Sequence, residues 1–191
     1  MLDAGCGNAR LALALERAAR CVEYVGVDAS RELIGIARAR GARLKNVRAD
    51  FFIADLAEPA WARELPREFE IVAALAVLHH LPSFDLRARV VVEFARLLAP
   101  GGRVLMTNWQ FLNDARMRKK IVAWSAAGVD AHAVDEGDAL LAWKRGGSGY
   151  RYCHHLTPAE VEAIARRAGL RVEQQFSGDA GLNLYSILLR E

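Results

Sequence analysis

Short apolar segments alternate with amphipathic ones over the first 108 residues of this chain of 191 residues. The apolar segments are bounded by Gly, Pro or Asp, which is typical of buried parallel strands. They predict strands at residues 2–4, 24–27, 51–54, 71–75 and 104–108. Apolar positions at helical spacing predict helices at residues 9–19, 31–40 and 85–98. The alternation therefore predicts an α/β fold, in which a doubly wound parallel sheet carries helices on both faces.

Residues 109–155 interrupt this alternation and are rich in Trp, Asp, Arg and Gly. We interpret them as an insertion after the fifth strand that covers the acceptor site. It would lie over the carboxyl ends of the strands, where open α/β sheets bind ligands. We expect Trp124 and Trp143 to pack inside this insertion.

The last part of the chain, residues 156–191, returns to regular patterns. Thr157 and Pro158 are a favourable N-cap and first residue for a helix, and two segments of high strand propensity follow it. We therefore expect one domain, in which residues 1–108 form the cofactor-binding half.

Composition narrows the class of protein. No apolar run approaches the roughly 20 residues that a membrane span needs, and no signal peptide is visible, so we expect a cytoplasmic protein. Cys6, Cys21 and Cys153 are too scattered for a disulfide framework or a zinc site, and no metal is predicted. A net charge of +3 is too small to indicate nucleic-acid binding by itself.

The first ten residues predict a strand, a glycine turn and the start of a helix, which together offer backbone N–H groups to a ligand. A dinucleotide fingerprint that starts at Gly5 needs Gly or Ala where Arg10 stands. A P-loop needs a Gly-Lys-Ser/Thr ending, which the sequence lacks here. The pattern Asp3-x-Gly5-x-Gly7, with Asp28 closing the second strand, instead resembles the class I S-adenosylmethionine-dependent methyltransferases.

This resemblance implies a Rossmann-like, mostly parallel seven-stranded sheet and S-adenosylmethionine as the cofactor. Asp28 would bind the ribose hydroxyls, although a helix cap is the alternative. Asp55 would face the adenine edge, and Asp50 is a weaker candidate because it precedes the predicted strand. Residues 71–80 would line the methionine part, and the family's third glycine is Ala9 here. The resemblance assigns cofactor binding to Asp3, Gly5, Gly7, Asp28, Ala29, Asp55, Leu56 and Leu75.

The second half contains Gly137-Asp138, Arg151-Tyr152-x-His154 and Asp179 followed by Asn183-x-Tyr185. This order resembles the tRNA methyltransferases that esterify 5-carboxymethyluridine at the wobble position. It implies tRNA as the acceptor, with a small activator subunit as a possible partner. The basic residues of 116–120, together with Lys144-Arg145, would meet phosphates, and a solvated helix face is the alternative.

The candidate catalytic residues are Arg151, His154, Asn183 and His80. A carboxylate is already deprotonated at neutral pH, so its methylation needs no base. Arg151 would hold the acceptor carboxylate or a phosphate, unless it forms a surface ion pair, and His154 and Asn183 would donate hydrogen bonds. The candidate substrate-binding residues are Trp109, Tyr152 and Asp179, and the two aromatic rings would stack on a base.

Two other functions stay open on the sequence alone. The first is a small-molecule carboxyl or O-methyltransferase with His80 as the base. The second is a cofactor-binding subunit that no longer catalyses. Only Met1 and Leu2 precede Asp3, whereas the family normally has a longer strand and an N-terminal lid. We therefore expect a truncated start or a lid supplied elsewhere, and weaker cofactor binding in consequence.

Overall fold

The computed structural model describes residues 1–65, 68–143 and 148–190. The strands are β1 (Leu2–Ala4), β2 (Val22–Asp28), β3 (Val47–Ile53), β4 (Phe69–Leu75), β5 (Leu98–Trp109), β6 (Ile121–Val122), β7 (Asp138–Trp143), β8 (Gly149–His154), β9 (Arg171–Gly178) and β10 (Asn183–Leu189). The α-helices are α1 (Arg10–Arg17), α2 (Arg31–Gly41), α3 (Phe84–Leu97), α4 (Ala115–Arg118) and α5 (Pro158–Arg167). The basic pair Lys144-Arg145 lies outside the described residues.

The main sheet has seven strands in the order β3-β2-β1-β4-β5-β10-β9. Strands β1 to β5 run parallel, and β10 is antiparallel to both of its neighbours. The chain moves from β1 outward to β2 and β3 and then returns past β1 to β4 on its other side, so the topological switch point lies between β1 and β4. The predicted doubly wound, mostly parallel seven-stranded sheet is confirmed.

Alternating side chains of the central strands supply two apolar cores. Leu2 and Ala4 of β1 belong to the core that packs under α3 and α5. Tyr24 and Phe51 belong to the second core, under α1 and α2. Burial of both faces explains why these strands are short and almost wholly apolar in sequence.

The predicted bounds of β3 and β5 were too narrow. β3 begins at Val47 rather than at residue 51, because it is the edge strand of the sheet and alternates buried with exposed positions. Asp50 consequently lies inside β3 and is exposed. β5 begins at Leu98, directly after α3, and includes the Pro100-Gly101-Gly102 segment.

The predicted insertion contains a second sheet, three antiparallel strands in the order β6-β7-β8. It has a small core of its own, formed by Phe111, Ala139, Leu141 and Cys153. In the parts of the chain that are described, no helix has the length and apolar character needed to cross a bilayer. Within the same ranges, no three His, Cys, Asp or Glu side chains group closely enough to hold a metal ion.

Candidate cofactor and acceptor site

The turn after β1 needs its two glycines for different reasons. Gly5 has a φ of +77°, and a Cβ atom there would lie 2.5 Å from Cγ2 of Val77. Gly7 has a φ of +54°, and a Cβ atom there would meet nothing within 4 Å. Gly5 therefore lets the turn pack against the loop after β4, whereas Gly7 leaves the backbone open to a ligand.

Ala9 stands at the position of the third family glycine and departs from what its residue type prefers. Its φ of 65° lies in the left-handed region, and its side chain is fully buried ahead of α1. A non-glycine residue in this conformation costs about 1–2 kcal/mol. The turn thus keeps its left-handed shape at this position without the glycine.

The carboxylate of Asp28 is fixed by two backbone N–H groups. Its Oδ2 accepts from the amide of Gly7 and its Oδ1 from the amide of Ser30, each at 2.9 Å. Ser30, not Asp28, is the N-cap of α2, since its hydroxyl accepts from the amide of Leu33. Each oxygen of Asp28 retains a lone pair, and the half-exposed side chain can accept from two hydroxyl groups.

Two cavities meet at Gly5, and together they are lined by all eight residues assigned to the cofactor. A cavity of about 330 Å³ is lined by Asp3, Gly7 and Leu75, among others. A second cavity of about 230 Å³ is lined by Gly5 and by residues at or after the ends of β2, β3 and β4. These residues include Asp28, Ala29, Asp55, Leu56 and His80.

Asp3 is buried beneath the first cavity and accepts a hydrogen bond from the hydroxyl of Tyr24. Burial raises its pKa to about 6, and the nearby charge of Asp28 adds to this, whereas the Tyr24 hydrogen bond acts in the opposite direction. A cationic ligand group in this cavity would favour the ionised carboxylate.

His80 lines the second cavity from a 3₁₀ turn, Leu78–His80, that follows β4. Its Nδ1 lies 3.0 Å from the carbonyl oxygen of Tyr152. Because a carbonyl only accepts, Nδ1 carries the proton and Nε2 presents a lone pair. Burial lowers the pKa of His80, and the charge of Arg151 lowers it further. No described residue forms a hydrogen bond with Nε2, so this atom can accept a proton from a ligand.

His79, by contrast, is fully buried and supports Trp109. Its Nδ1 accepts from the Trp109 amide at 3.3 Å. Its ring stacks on the indole with centroids 4.9 Å apart and an interplanar angle of 27°. Burial lowers the pKa of His79 to about 3, so the ring is neutral. One histidine of the pair is therefore structural and the other faces the cavity.

Arg151 lies between two indole rings. Its Cζ is 5.7 Å from the ring centroid of Trp109 and 4.2 Å from that of Trp143. The expectation that Trp143 packs inside the insertion is wrong, since this side chain is 38% exposed. In the β7–β8 ladder Leu141 lies opposite Arg151, which places Trp143 diagonally on the same face. Alternation along β7 is a sequence signal that could have found this pair.

The predicted role of His154 at the acceptor is wrong. The residue is 3% exposed, and neither ring nitrogen is free. Nδ1 lies 2.7 Å from Oδ1 of Asp138, and Nε2 lies 2.7 Å from Oε2 of Glu160. Burial opposes its protonation, but the hydrogen bonds to these two carboxylates outweigh burial and raise the pKa of His154.

The same network joins the insertion to the main sheet's helices. Arg87 of α3 pairs with Glu160 of α5 at 2.9 Å and donates to the carbonyl of Leu81, just after the His80 turn. The hydroxyl of Tyr152 donates to Asp138 at 2.5 Å. Tyr152 lines neither of the two cavities, and its contact with a substrate stays a prediction.

Asp179 and Asn183 lie at the same edge of the sheet as Trp109. Asn183 is the register partner of Trp109 across β10 and β5. The Asn183 amide and the Tyr185 hydroxyl both donate to Oδ2 of Asp179, at 2.7 and 2.6 Å. The three side chains thus bond to one another, and the acceptor contacts of Asp179 and Asn183 stay predictions.

The geometry of the turn agrees with the comparison with known families. Residues 2–104 match the family model described as "Methyltransferase domain". The chain belongs to this family. The match spans β1 to β5 up to Val104 and includes every residue that lines the two cavities around Gly5.

Curated relatives cover most of this chain. A ubiquinone biosynthesis O-methyltransferase of Xylella fastidiosa is 30% identical over 173 residues, which cover 91% of this chain and 61% of that protein. One of Thiobacillus denitrificans is 29% identical over 174 residues, which cover 91% of this chain and 65% of that protein. The chain thus spans less than two thirds of the length of these relatives, and neither is named a tRNA methyltransferase.

Solved structures share the fold at low sequence identity. A SAM-dependent methyltransferase of Methanosarcina mazei is 20% identical with a TM-score of 0.74, over 99% of this chain and 91% of that one. The magnesium protoporphyrin IX methyltransferase of Synechocystis PCC 6803, solved with bound SAM, is 18% identical with a TM-score of 0.62. That alignment covers 100% of this chain and 69% of that one.

Proposed function

We propose that this protein is an S-adenosylmethionine-dependent methyltransferase that acts on a hydroxyl group of a small molecule. The observation that carries the proposal is the contact of His80 Nδ1 with the carbonyl of Tyr152, which leaves Nε2 as the acceptor of a residue that lines the cavity of Asp28 and Asp55. The names of the ubiquinone biosynthesis relatives support an O-methyl acceptor.

The eight assigned residues fit the cofactor by their chemistry. The spare lone pairs of Asp28 suit the two ribose hydroxyls, and Asp55 lies in the same cavity for the adenine. Asp3, Gly7 and Leu75 line the cavity that would take the methionine part. When bound, S-adenosylmethionine supplies an electrophilic methyl group on a positively charged sulfur.

His80 then acts as the general base. Its Nε2 takes the proton of the acceptor hydroxyl as the new oxygen–carbon bond forms and the carbon–sulfur bond breaks. The products are the methyl ether, S-adenosylhomocysteine and a proton on His80. A lowered pKa keeps His80 neutral at physiological pH, and the carbonyl of Tyr152 orients its ring.

A tRNA carboxylate, the acceptor implied by sequence resemblance, receives less support. Such an acceptor is already deprotonated and would give His80 no proton to remove. Two residues of the predicted phosphate-binding cluster also have partners within the chain. Arg116 pairs with Asp114 at 2.9 Å, and Arg118 donates to the carbonyl of Leu112.

Calorimetry with S-adenosylhomocysteine tests the cofactor site. We expect Asp28→Ala to weaken binding at least about 10-fold, because two charge-assisted hydrogen bonds are worth about 1.5–3 kcal/mol each. Asp50→Ala is the matched control, since Asp50 is exposed on the adjacent strand and lines neither cavity. No binding by the wild type, or equal affinities for both variants, would refute the site.

Labelled methyl transfer tests the acceptor and the base. Catechol and bulk tRNA are offered separately, and we expect label only on the catechol. His80→Gln should lower kcat about 100-fold, the lower range for a general base, while affinity for S-adenosylhomocysteine stays within about three-fold. His132→Gln, an exposed histidine of the insertion, is the control. Label on tRNA alone, an unchanged His80→Gln rate, or cofactor binding without transfer to either acceptor contradicts the proposal.

A further inference from the structure

Arg151 forms no ion pair in the described parts of the chain, although it is only partly exposed. Its guanidinium forms no ion pair or hydrogen bond with any described residue, and its close contacts are the rings of Trp109 and Trp143. Elsewhere, the buried Arg87 binds both a carboxylate and a carbonyl. The guanidinium of Arg151 therefore packs against two aromatic rings, and its N–H donors form no hydrogen bond with the described residues.

The two indoles suit a guanidinium that must stay available. An arginine stacks its planar face on aromatic rings and leaves the N–H edge free for a bidentate acceptor. Trp109 is itself positioned by the stacked ring and the hydrogen bond of His79. The side chain that orients Arg151 is thus fixed by buried groups.

Arg151 also lies close to the proposed base. Cζ of Arg151 lies 5.7 Å from the centroid of the Trp109 ring. The centroids of the His80 and Trp109 rings lie 5.5 Å apart. His80 bonds the carbonyl of Tyr152, the residue that follows Arg151 in β8. Both groups therefore contact the ring of Trp109, although of the two only His80 lines a cavity around Gly5. An acceptor lying against this ring would be within reach of both the arginine and the histidine.

We infer that the acceptor is a hydroxylated aromatic acid whose anionic group, a carboxylate or a phosphate-type group, is bound by Arg151 while its hydroxyl meets His80. This inference rests on the proposed function, because His80 defines where the hydroxyl lies. The anion also changes the base: the positive charge of Arg151 lowers the pKa of His80, and a bound anion offsets that charge. Activity on an anionic acceptor should therefore show its acidic limb at a higher pH than activity on a neutral one.

The test compares three catechols: 3,4-dihydroxybenzoate, 3,4-dihydroxyphenylphosphonate and the uncharged 3,4-dihydroxybenzamide. We expect kcat/KM of the wild type to be at least about 10-fold higher for one of the anions than for the amide. Preference for the benzoate or the phosphonate identifies the kind of anion. Arg151→Gln should reduce that ratio to about one without changing affinity for S-adenosylhomocysteine. Arg151→Lys should retain part of it, and Arg48→Gln, on an exposed arginine of β3, should retain all of it.

Tryptophan fluorescence separates this inference from the proposed function, because Trp109 and Trp143 flank Arg151. With S-adenosylhomocysteine present, an anionic catechol should quench emission more than the amide does, and Arg151→Gln should abolish the difference. Anion-dependent quenching without methyl transfer supports the inference and refutes the proposed catalysis. Methyl transfer with equal kcat/KM for anions and amide overturns the inference and leaves the function standing. Neither quenching nor transfer overturns both.

Discussion

The glycine turn after β1 and the insertion of residues 109–155 are built in opposite ways. In the turn, backbone geometry decides which residues are possible: Gly5 and Gly7 have positive φ, and Asp28 accepts from the backbone of the turn. In the insertion, side chains from distant elements decide the structure, as the bonds of His154 to β7 and α5 show. A local backbone requirement can therefore be recognised as a sequence pattern, whereas a charge network between residues distant in sequence cannot.

Disrupting the charge network that joins the insertion to α3 and α5 should produce the largest loss of stability. Its members are Arg87, Asp138, His154 and Glu160. Glu160→Ala removes the carboxylate that bonds both Arg87 and His154. Arg87 is 1% exposed, and an uncompensated buried charge costs about 3–5 kcal/mol. Urea unfolding should show this loss. Glu162→Ala is the control, because Glu162 is exposed and its pair with Arg166 is 4.0 Å long; its effect should stay below about 0.5 kcal/mol. Equal losses of stability in the two variants would mean that the network stabilises the fold no more than an exposed ion pair does.

The turn should show the next largest effect, and its two glycines should differ. Gly5→Ala combines left-handed strain with a collision against Val77, and we expect a cost of about 2–4 kcal/mol. Gly7→Ala adds strain alone, at about 1–2 kcal/mol, because its Cβ meets no atom. Urea unfolding measures both.

Affinity for S-adenosylhomocysteine further distinguishes the Gly5→Ala variant from the Gly7→Ala variant. The methyl group of Gly7→Ala would project into the space we assign to the cofactor. The variant should therefore lose more free energy of S-adenosylhomocysteine binding than free energy of unfolding. A Gly7→Ala variant that binds as tightly as the wild type would place the cofactor elsewhere.

Sequence patterns predicted the sheet and the turn, because each depends on neighbours along the chain. The family resemblance added eight residues at strand ends, and these line the two cavities. The αL conformation of Ala9 could not be predicted, since alanine does not favour it. Arg87 and Glu160 lie on two different helices, and nothing in either helix pattern pairs them. His154 illustrates the same limit: its residue type suggested an acceptor contact, and only the fold reveals that both nitrogens are bonded.

The dependence of the free energy of unfolding on pH should be the smallest effect. It distinguishes the two regions, because their titrating groups change stability over different pH ranges. The raised pKa of His154 stabilises the fold fully below its ordinary value of 6.5, and this stabilisation is lost as the pH rises through the folded-state pKa. Asp3, in β1 just before the turn, also makes the fold less stable as the pH rises, but this loss is complete near its pKa of about 6. The lowered pKa of the Met1 amino group acts with the opposite sign up to 8.0.

The difference between the wild type and His154→Gln isolates the insertion. Thermal unfolding measured from pH 6.5 to 8 should show the advantage of the wild type shrinking as the pH rises, because only the wild type loses a buried cation held between Asp138 and Glu160. The contribution of Met1 is the same in both proteins and cancels. A difference that stays constant over this range would mean that His154 is neutral in the fold, and that hydrogen bonds without charge join the insertion to α5.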